Sequence, residues 1–168
     1  ERGKNAYGGL FQDTEDYVQS VVIPGLNLAL ARCGGRGVLT PGIRCLSMYP
    51  RACDVGGFFQ PAAVGMGPWG FAAFNPVLFY GKDPYAGRKV TATMVPLTEG
   101  PSDNRHPCAK PISACRWMIG KASKPNETIL DPFMGLGSFL VAAKHMYRRA
   151  IGIELEEKYC EIAARRIE

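Results

Sequence analysis

The clearest pattern of apolar and polar positions lies between residues 128 and 154. A short apolar run ends in Asp131 and leads through a glycine-containing turn into a segment with helical spacing. The apolar residues of that segment share one face: Phe139, Ala142, Ala143 and Met146. A second apolar run, residues 150–153, ends in Glu154. This pattern predicts a buried strand, a glycine turn, a helix and a second strand, as in a βαβ unit.

The polar residues at the strand ends of this unit predict a nucleoside site. A carboxylate at the tip of the second strand, here Glu154, is placed to accept hydrogen bonds from two ribose hydroxyls. Gly135 and Gly137 let the backbone approach a ligand closely, and the helix that begins at Ser138 offers N–H groups to a negative group. A glycine-rich turn without any ligand is the alternative interpretation.

The details of the turn argue against a dinucleotide. The G-x-G-x-x-G pattern would require a third glycine where Leu140 stands. Asp131 would also repel a pyrophosphate. A cofactor with an amino-acid tail and a sulfonium fits better, because the carboxylate complements its cationic end.

Upstream, helical and extended patterns alternate. A helix capped by Asp13 is predicted to run to Ala31, with an interruption at Pro24, and a short strand of a parallel sheet follows at residues 38–40. Residues 43–66 contain too many prolines and glycines for a long element. A strand is predicted at 77–80 and a core-covering helix from Glu156.

A second motif precedes the glycine turn by about twenty residues. It reads His106-Pro-Cys-Ala-Lys110-Pro111 and opens a helix whose apolar residues share a face. Together, this motif and Asp131-Pro132-Phe133-Met-Gly135-Leu-Gly137-Ser138 closely resemble the amino-directed DNA methyltransferases in which the catalytic half precedes the cofactor half, including phage-borne members.

The resemblance implies an α/β, Rossmann-like fold with a mostly parallel sheet flanked by helices, and S-adenosylmethionine as the cofactor. It divides one domain, residues 1–168, into a catalytic remainder (1–85), a variable loop (86–104) and a cofactor half (105–168). The implied cofactor residues are Asp131, Pro132, Phe133, Gly135, Gly137, Ser138, Glu154, His106, Lys110 and Pro111. The implied product is N6-methyladenine or N4-methylcytosine in double-stranded DNA, with the target base flipped out.

Candidate DNA contacts lie outside these motifs: Trp69, Phe71, Lys82, Arg88 and Lys89. Trp69 or Phe71 could line the pocket of an extruded base or pack under the sheet edge. The charges of the short segment 86–104 could contact phosphates or form a solvated loop.

One expected motif is missing. The family carries Asp/Asn/Ser-Pro-Pro-aromatic beside the target amine, and no such tetrapeptide occurs in the sequence. We therefore expect a fragment that lacks its N-terminal strands and catalytic residues. The alternatives are an inactive cofactor- or DNA-binding module, and an RNA or protein methyltransferase.

Composition agrees with this interpretation without deciding it. The chain has 168 residues, 46% of them hydrophobic, and a formal net charge of +5, which is compatible with nucleic acid. Six cysteines without a C-x-x-C pair predict reduced thiols and no metal site. No long apolar run or signal pattern occurs, so we expect a cytoplasmic protein, bacterial or phage-encoded, with no membrane partner.

Overall fold

The computed structural model describes residues 14–60, 66–67, 69–71, 73–87, 92–97 and 109–168. The first helical stretch begins with α1 (Glu15–Tyr17). Thr14 is its N-cap and accepts a hydrogen bond from the Tyr17 N–H, whereas Asp13 lies outside the described residues. The stretch continues as a π-helical segment (Val18–Val22) and as α2 (Ile23–Arg32).

The expected interruption at Pro24 takes the form of that π-helical segment. Pro24 is the second residue of α2, but the chain before it is already helical, so its missing N–H removes one hydrogen bond from the helical ladder. A local π-helical turn is one of the known ways in which a helix accommodates such a residue. The chain therefore stays helical from residue 15 to residue 32.

The main sheet has four strands in the order β1 (Gly37–Leu39), β5 (Phe74–Tyr80), β2 (Asp54–Phe59), β6 (Met94–Pro96). Strand β5 runs antiparallel to both β1 and β2, and β2 pairs in parallel with β6. A small hairpin, β3 (Met66–Gly67) and β4 (Gly70–Phe71), lies between β2 and β5 in the chain. The predicted α/β fold is confirmed. β1 was expected in a parallel sheet, but its neighbour β5 runs antiparallel to it.

Strand β2 falls in the segment where the sequence predicted no long element. Its interior glycines are required by close neighbours. A Cβ at Gly56 would lie 2.0 Å from the Thr93 carbonyl oxygen, and one at Gly57 would lie 2.3 Å from the Phe74 ring. Residues that usually weaken a strand are here what allows it to pack.

The second sheet is the predicted βαβ unit. It pairs β7 (Thr128–Asp131) in parallel with β8 (Arg149–Gly152), and α4 (Ser138–His145) connects them. α3 (Ile112–Ala122) precedes this unit and α5 (Glu157–Ile167) follows it. These elements agree with the sequence prediction to within about two residues, a normal discrepancy at element ends.

Helix α3 packs against both sheets. Met118 belongs to a buried cluster with Phe58 and Val77 of the main sheet. Cys115 and Ile119 belong to another cluster with α4, against which Ile129 of β7 packs. A third cluster joins α2 to the opposite face of the main sheet through Leu26, Leu78 and Tyr80.

A gap separates the facing edges of β1 and β7. Within the described ranges, neither edge pairs with a strand on that side. Arg36 and Glu127, which precede the two strands, form an ion pair of 2.9 Å, so both strands begin at the same end of the molecule. The two strands therefore start close to each other without pairing.

Candidate functional site

The site is built on the turn that follows β7. The Asp131 carboxylate accepts a hydrogen bond from the Phe133 N–H at 3.2 Å, which closes the first part of the turn. The Asp131 carbonyl accepts from the Ile153 N–H at 2.9 Å, and the Met134 N–H donates to the Ile153 carbonyl at 3.0 Å. The turn is therefore fixed to the chain that leaves β8, and Asp131 and Glu154 come to one edge of the sheet.

Both predicted glycines of the turn adopt positive φ angles. Gly135 has φ of 51° and Gly137 has φ of 72°, a region that favours glycine. Space is a second requirement at Gly137, because a Cβ there would lie 2.9 Å from the Ala163 Cβ of α5. Gly137 thus allows α4 to begin directly at the turn, against the last helix.

Glu154 is the most highly connected side chain of the site. Its Oε2 accepts from the Gly135 N–H at 2.9 Å. Its Oε1 accepts from the N–H groups of Leu155 at 2.8 Å and Glu156 at 3.0 Å. A carboxylate offers about four acceptor positions. Three of them carry these bonds, and the fourth remains for one ligand hydroxyl before the turn must rearrange.

Asp131 has an unusual pKa. Burial raises it from 3.8 to about 6, and the nearby charge of Glu154 adds to the increase. The Phe133 N–H and the positive charge of Lys110 act in the opposite direction. The carboxylate is therefore short of positive neighbours, and a cation placed beside it would stabilise its charged form.

The start of α4 contributes backbone donors. The first N–H groups of a helix have no partner within the helix, and its N-terminus carries a partial positive charge. Gly137 is the N-cap and supplies no side-chain acceptor. Ser138 and Gly137 are buried, so this end of α4 acts on a neighbouring negative group through its partial charge.

The surface beside these groups is open and partly apolar. Phe133 and Leu155, which flank the two carboxylates in the chain, are both exposed. Two cavities of about 480 and 370 Å³ lie elsewhere, the first lined by Asn126, Tyr147, Arg148 and Arg149. The turn after β7 therefore lies at an open part of the surface.

Helix α2 contacts the turn after β7. The sequence did not predict this contact. A Cβ at Gly25 would lie 3.1 Å from the Phe133 ring, so the start of α2 packs closely against the ring. The dipeptide Pro24-Gly25 was the available signal, since a glycine inside a helix can mark a close approach. α2 thereby ties the main sheet to the cofactor turn.

The described end of the second motif, Lys110 and Pro111, lies close to the turn after β7. Pro111 is buried and is the N-cap of α3, and Lys110 is close enough to Asp131 to lower its pKa. Cys115, one turn into α3, lies near Asp131 as well, and burial raises its pKa to about 12. This thiol is therefore protonated and inert at neutral pH. His106 is outside the described residues.

The candidate DNA contacts divide between two ends of the sheet. Trp69 lies on the hairpin that follows the end of β2, and its side chain is fully exposed, so it does not pack under the sheet edge. Lys82 follows β5 beside Gly81, which touches the Gly35–Arg36 backbone before β1. Lys82 thus lies where β1 and β7 begin, away from Asp131.

The other candidate contacts are only partly described. The backbone of Phe71 pairs with Met66 in the hairpin, but the structure does not describe the Phe71 side chain. Arg88 and Lys89 are also outside it.

Two further findings concern metals and membranes. The described residues contain no group of three histidine, cysteine, aspartate or glutamate side chains arranged to hold a metal ion. No helix in the described part of the chain is long and apolar enough to cross a membrane. Five cysteines lie among the described residues as free thiols: Cys33, Cys45, Cys53, Cys115 and Cys160.

Comparison with known proteins then decides the family. The family model for DNA methylases of the N6/N4 type matches residues 81–165, which include the turn, both carboxylates, α3, α4 and most of α5. The chain belongs to the N6/N4 DNA methylase family.

Curated relatives match a part of the chain. The type II methyltransferase M.HinfI of Haemophilus influenzae is 44% identical over 62 residues, 37% of this chain and 17% of that protein. The type II methyltransferase M2.DpnII of Streptococcus pneumoniae is 42% identical over 64 residues, 38% of this chain and 24% of that protein. The matched region therefore spans less than a third of either relative.

Solved structures extend the likeness to the rest of the fold. The M1.HpyAVI–SAM complex superimposes with a TM-score of 0.66 at 21% identity, over 78% of this chain and 73% of that one. The cytosine-N4-specific PvuII DNA methyltransferase gives 0.58 at 15% identity, over 75% and 55%. At these identities the likeness concerns the fold, and it includes the Rossmann-like arrangement predicted from the sequence.

Proposed function

We propose that this N6/N4 methylase chain binds S-adenosylmethionine and belongs to a site-specific methyltransferase acting on the exocyclic amine of adenine or cytosine in double-stranded DNA. The observation that carries the proposal is the pair of carboxylates, Asp131 and Glu154, at the tips of adjacent parallel strands, linked by the turn whose Gly135 N–H donates to Glu154. A Rossmann-like fold binds nucleosides at this position.

The donor set fits the proposed cofactor. Glu154 has an acceptor position for a ribose hydroxyl, and the start of α4 carries a partial positive charge that favours a carboxylate nearby. Asp131, whose pKa is raised by burial, would gain from a neighbouring ammonium or sulfonium. The exposed Phe133 ring offers an apolar and aromatic surface to a base or a cation.

S-adenosylmethionine would supply an activated methyl group. The residues described above bind and orient rather than exchange protons, which suits a transfer that depends mainly on alignment of the reacting atoms. Gly135 and Gly137 hold the turn in its left-handed conformation, and Lys110 and Pro111 close the side formed by α3.

We also propose that the groups that accept hydrogen bonds from the target amine act at the gap between β1 and β7. The gap opens toward the edge where Asp131 and Glu154 lie, and strand ends at such a break in a sheet are the usual place for reacting groups. The sequence of this chain contains no Asp/Asn/Ser-Pro-Pro-aromatic tetrapeptide. We therefore expect this chain alone to bind cofactor without transferring methyl groups.

Calorimetry tests the cofactor proposal. We expect heat on titration with S-adenosylmethionine and with its demethylated product, and a loss of affinity of about 10- to 150-fold for Glu154→Ala, since a hydrogen bond to a charged group contributes roughly 1.5–3 kcal/mol. Glu157→Ala, which removes an exposed carboxylate three residues away, is the matched control and should bind normally. Absence of heat with the unmodified chain would contradict the proposal.

An inactive cofactor- or DNA-binding module is the second candidate. The observation in its favour is the absence of the acceptor tetrapeptide from the sequence. Because this chain alone is expected to bind without transfer under both candidates, transfer of a labelled methyl group onto DNA, RNA and protein, offered separately, is measured with a longer protein that contains both this chain and the acceptor tetrapeptide. Label on DNA favours the methyltransferase, and label on RNA or protein would change the substrate class. Cofactor binding without any transfer in that protein favours the module.

A further inference from the structure

Trp69 is fully exposed at the tip of the β3–β4 hairpin. It lies between Gly67 and Gly70, which pair with each other across the turn, and Gly70 has a positive φ of 137°. Tryptophan usually buries most of its large surface. A tryptophan with a relative exposure of 101% therefore contributes nothing to the packing of the described chain.

The hairpin emerges at the same edge of the molecule as the cofactor turn. It joins the end of β2 to the start of β5, and Phe59 pairs with Phe74 at its base. Strands β1 and β2 both run antiparallel to β5, so they end at this edge. The start of α2, which returns to β1, touches Phe133 of the turn, and this contact places the end of β7 at the same edge.

Exposed aromatic rings close to a site for DNA chemistry have two common uses. One is to stack on an unpaired base, and the other is to wedge between neighbouring base pairs beside an extruded nucleotide. Both require a ring that projects from the protein on a short support. A two-stranded hairpin with tryptophan in its turn provides such a support, whereas a wall of a base pocket would be recessed.

We propose that Trp69 enters the base stack of the DNA next to the target nucleotide and thereby positions the duplex over the cofactor turn. The inference rests on the proposed function, because it takes double-stranded DNA as the substrate. It assigns to Trp69 a contact with the bases themselves, in contrast to a role as a wall of the pocket for the flipped base.

Tryptophan fluorescence tests this contact directly. The chain has two tryptophans, and Trp117 is partly buried against the core, where it meets Phe79 edge to face with ring centroids 6.0 Å apart. In a Trp117→Phe background, Trp69 is the only source of the signal. We expect duplex DNA to quench and blue-shift its emission, and heparin, which offers charges without bases, to leave the emission unchanged.

Binding measurements with substituted chains complete the test. Fluorescence anisotropy with labelled duplex should show about 5- to 150-fold weaker binding for Trp69→Ala, the range expected for one lost stacking contact. Trp69→Phe should retain most of the affinity. Tyr147→Ala is the matched control, because Tyr147 is also strongly exposed (82%) but lies beside the start of β8, at the opposite end of the strands.

The outcomes separate this inference from the proposed function. If duplex binds while Trp69 emission stays constant, or if Tyr147→Ala weakens binding as much as Trp69→Ala does, the inference is wrong and the cofactor proposal stands. If neither variant matters because DNA does not bind at all, the inference is also wrong. Calorimetry with S-adenosylmethionine then shows whether the cofactor proposal fails with it.

Discussion

The two sheets of this molecule use their strand ends differently. In the β7–β8 sheet, β7 ends in Asp131 and β8 ends two residues before Glu154, and each carboxylate accepts from at least one backbone N–H. In the main sheet, β1 and β2 end in apolar residues, Leu39 and Phe59. The smaller sheet therefore holds the groups that we propose bind the cofactor, whereas the larger one provides a packed support and the Trp69 hairpin.

This difference shows how ligand chemistry and packing are distributed in a fold of this kind. Polar groups at strand ends cost stability unless they are hydrogen-bonded, so they occur where a turn can satisfy them. The glycine turn after β7 donates one backbone hydrogen bond to each carboxylate. We expect substitutions in the cofactor half to change stability more than matched substitutions in the rest of the chain.

The largest effect is expected for Gly137→Ala. The new Cβ would meet Ala163 at 2.9 Å and the backbone would keep a φ of 72°, so we expect a loss of about 2–4 kcal/mol in the free energy of unfolding. Urea unfolding measures it. Gly34→Ala is the matched control in the other half, because Gly34 has a φ of 65° and nothing within 4 Å.

The control should lose only the conformational part, about 1 kcal/mol. Equal losses at the two glycines would mean that the contact between the turn and α5 is not tightly packed. The constraint assigned to the cofactor half would then be wrong.

Asp131→Asn should separate binding from stability. The raised pKa of Asp131 means that the folded state holds this proton more tightly than the unfolded state does. The associated stability is present below about pH 4 and is lost as the pH rises through about 6. At pH 8 we expect the variant to be more stable, by at most about 3 kcal/mol, and to bind S-adenosylmethionine at least tenfold more weakly.

Thermal unfolding and calorimetry at pH 5 and pH 8 measure the two effects. Cofactor affinity of the unmodified chain should also fall below about pH 6, as Asp131 gains its proton. Asp54→Asn in β2 is the control, because its carboxylate likewise accepts from a neighbouring N–H, that of Val55 at 2.8 Å, but is exposed. Identical behaviour of the two variants would refute a special role for Asp131.

The smallest effect is expected for Glu127→Gln, at the ion pair that joins the two sheets. The Lys124 N–H, together with Arg36, lowers the pKa of Glu127. Its contribution is therefore present at neutral pH and is lost as the pH falls through the lowered pKa. Both side chains are half-buried, so we expect a loss below about 1 kcal/mol.

Urea unfolding at low and high salt measures this loss. Glu161→Gln, which removes an exposed pair with Arg165 inside α5, is the control and should lose still less. A large effect at Glu127 would mean that the pair, rather than α2 and α3, holds the two sheets together.

The sequence alone determined most of the cofactor half. The strand–turn–helix–strand order, the acidic ends and the start of α4 at Ser138 were all predicted. These features are local, since each depends on residues within one turn or one strand period. Glycines at positive φ and a carboxylate after a short apolar run leave few alternative conformations.

Only the tertiary structure decided the main sheet and the gap beside it. β2 contains two glycines and β6 has only three residues, so neither strand has a local signal in the sequence. Both form because residues distant in the chain supply their neighbouring strands. Gly56 and Gly57 leave the space that Thr93 and Phe74 occupy. The reversed direction of β5, the contact of Gly25 with Phe133 and the exposure of Trp69 depend equally on long-range packing. Residue spacing cannot encode such contacts, because they are set by which surfaces meet after the chain has folded.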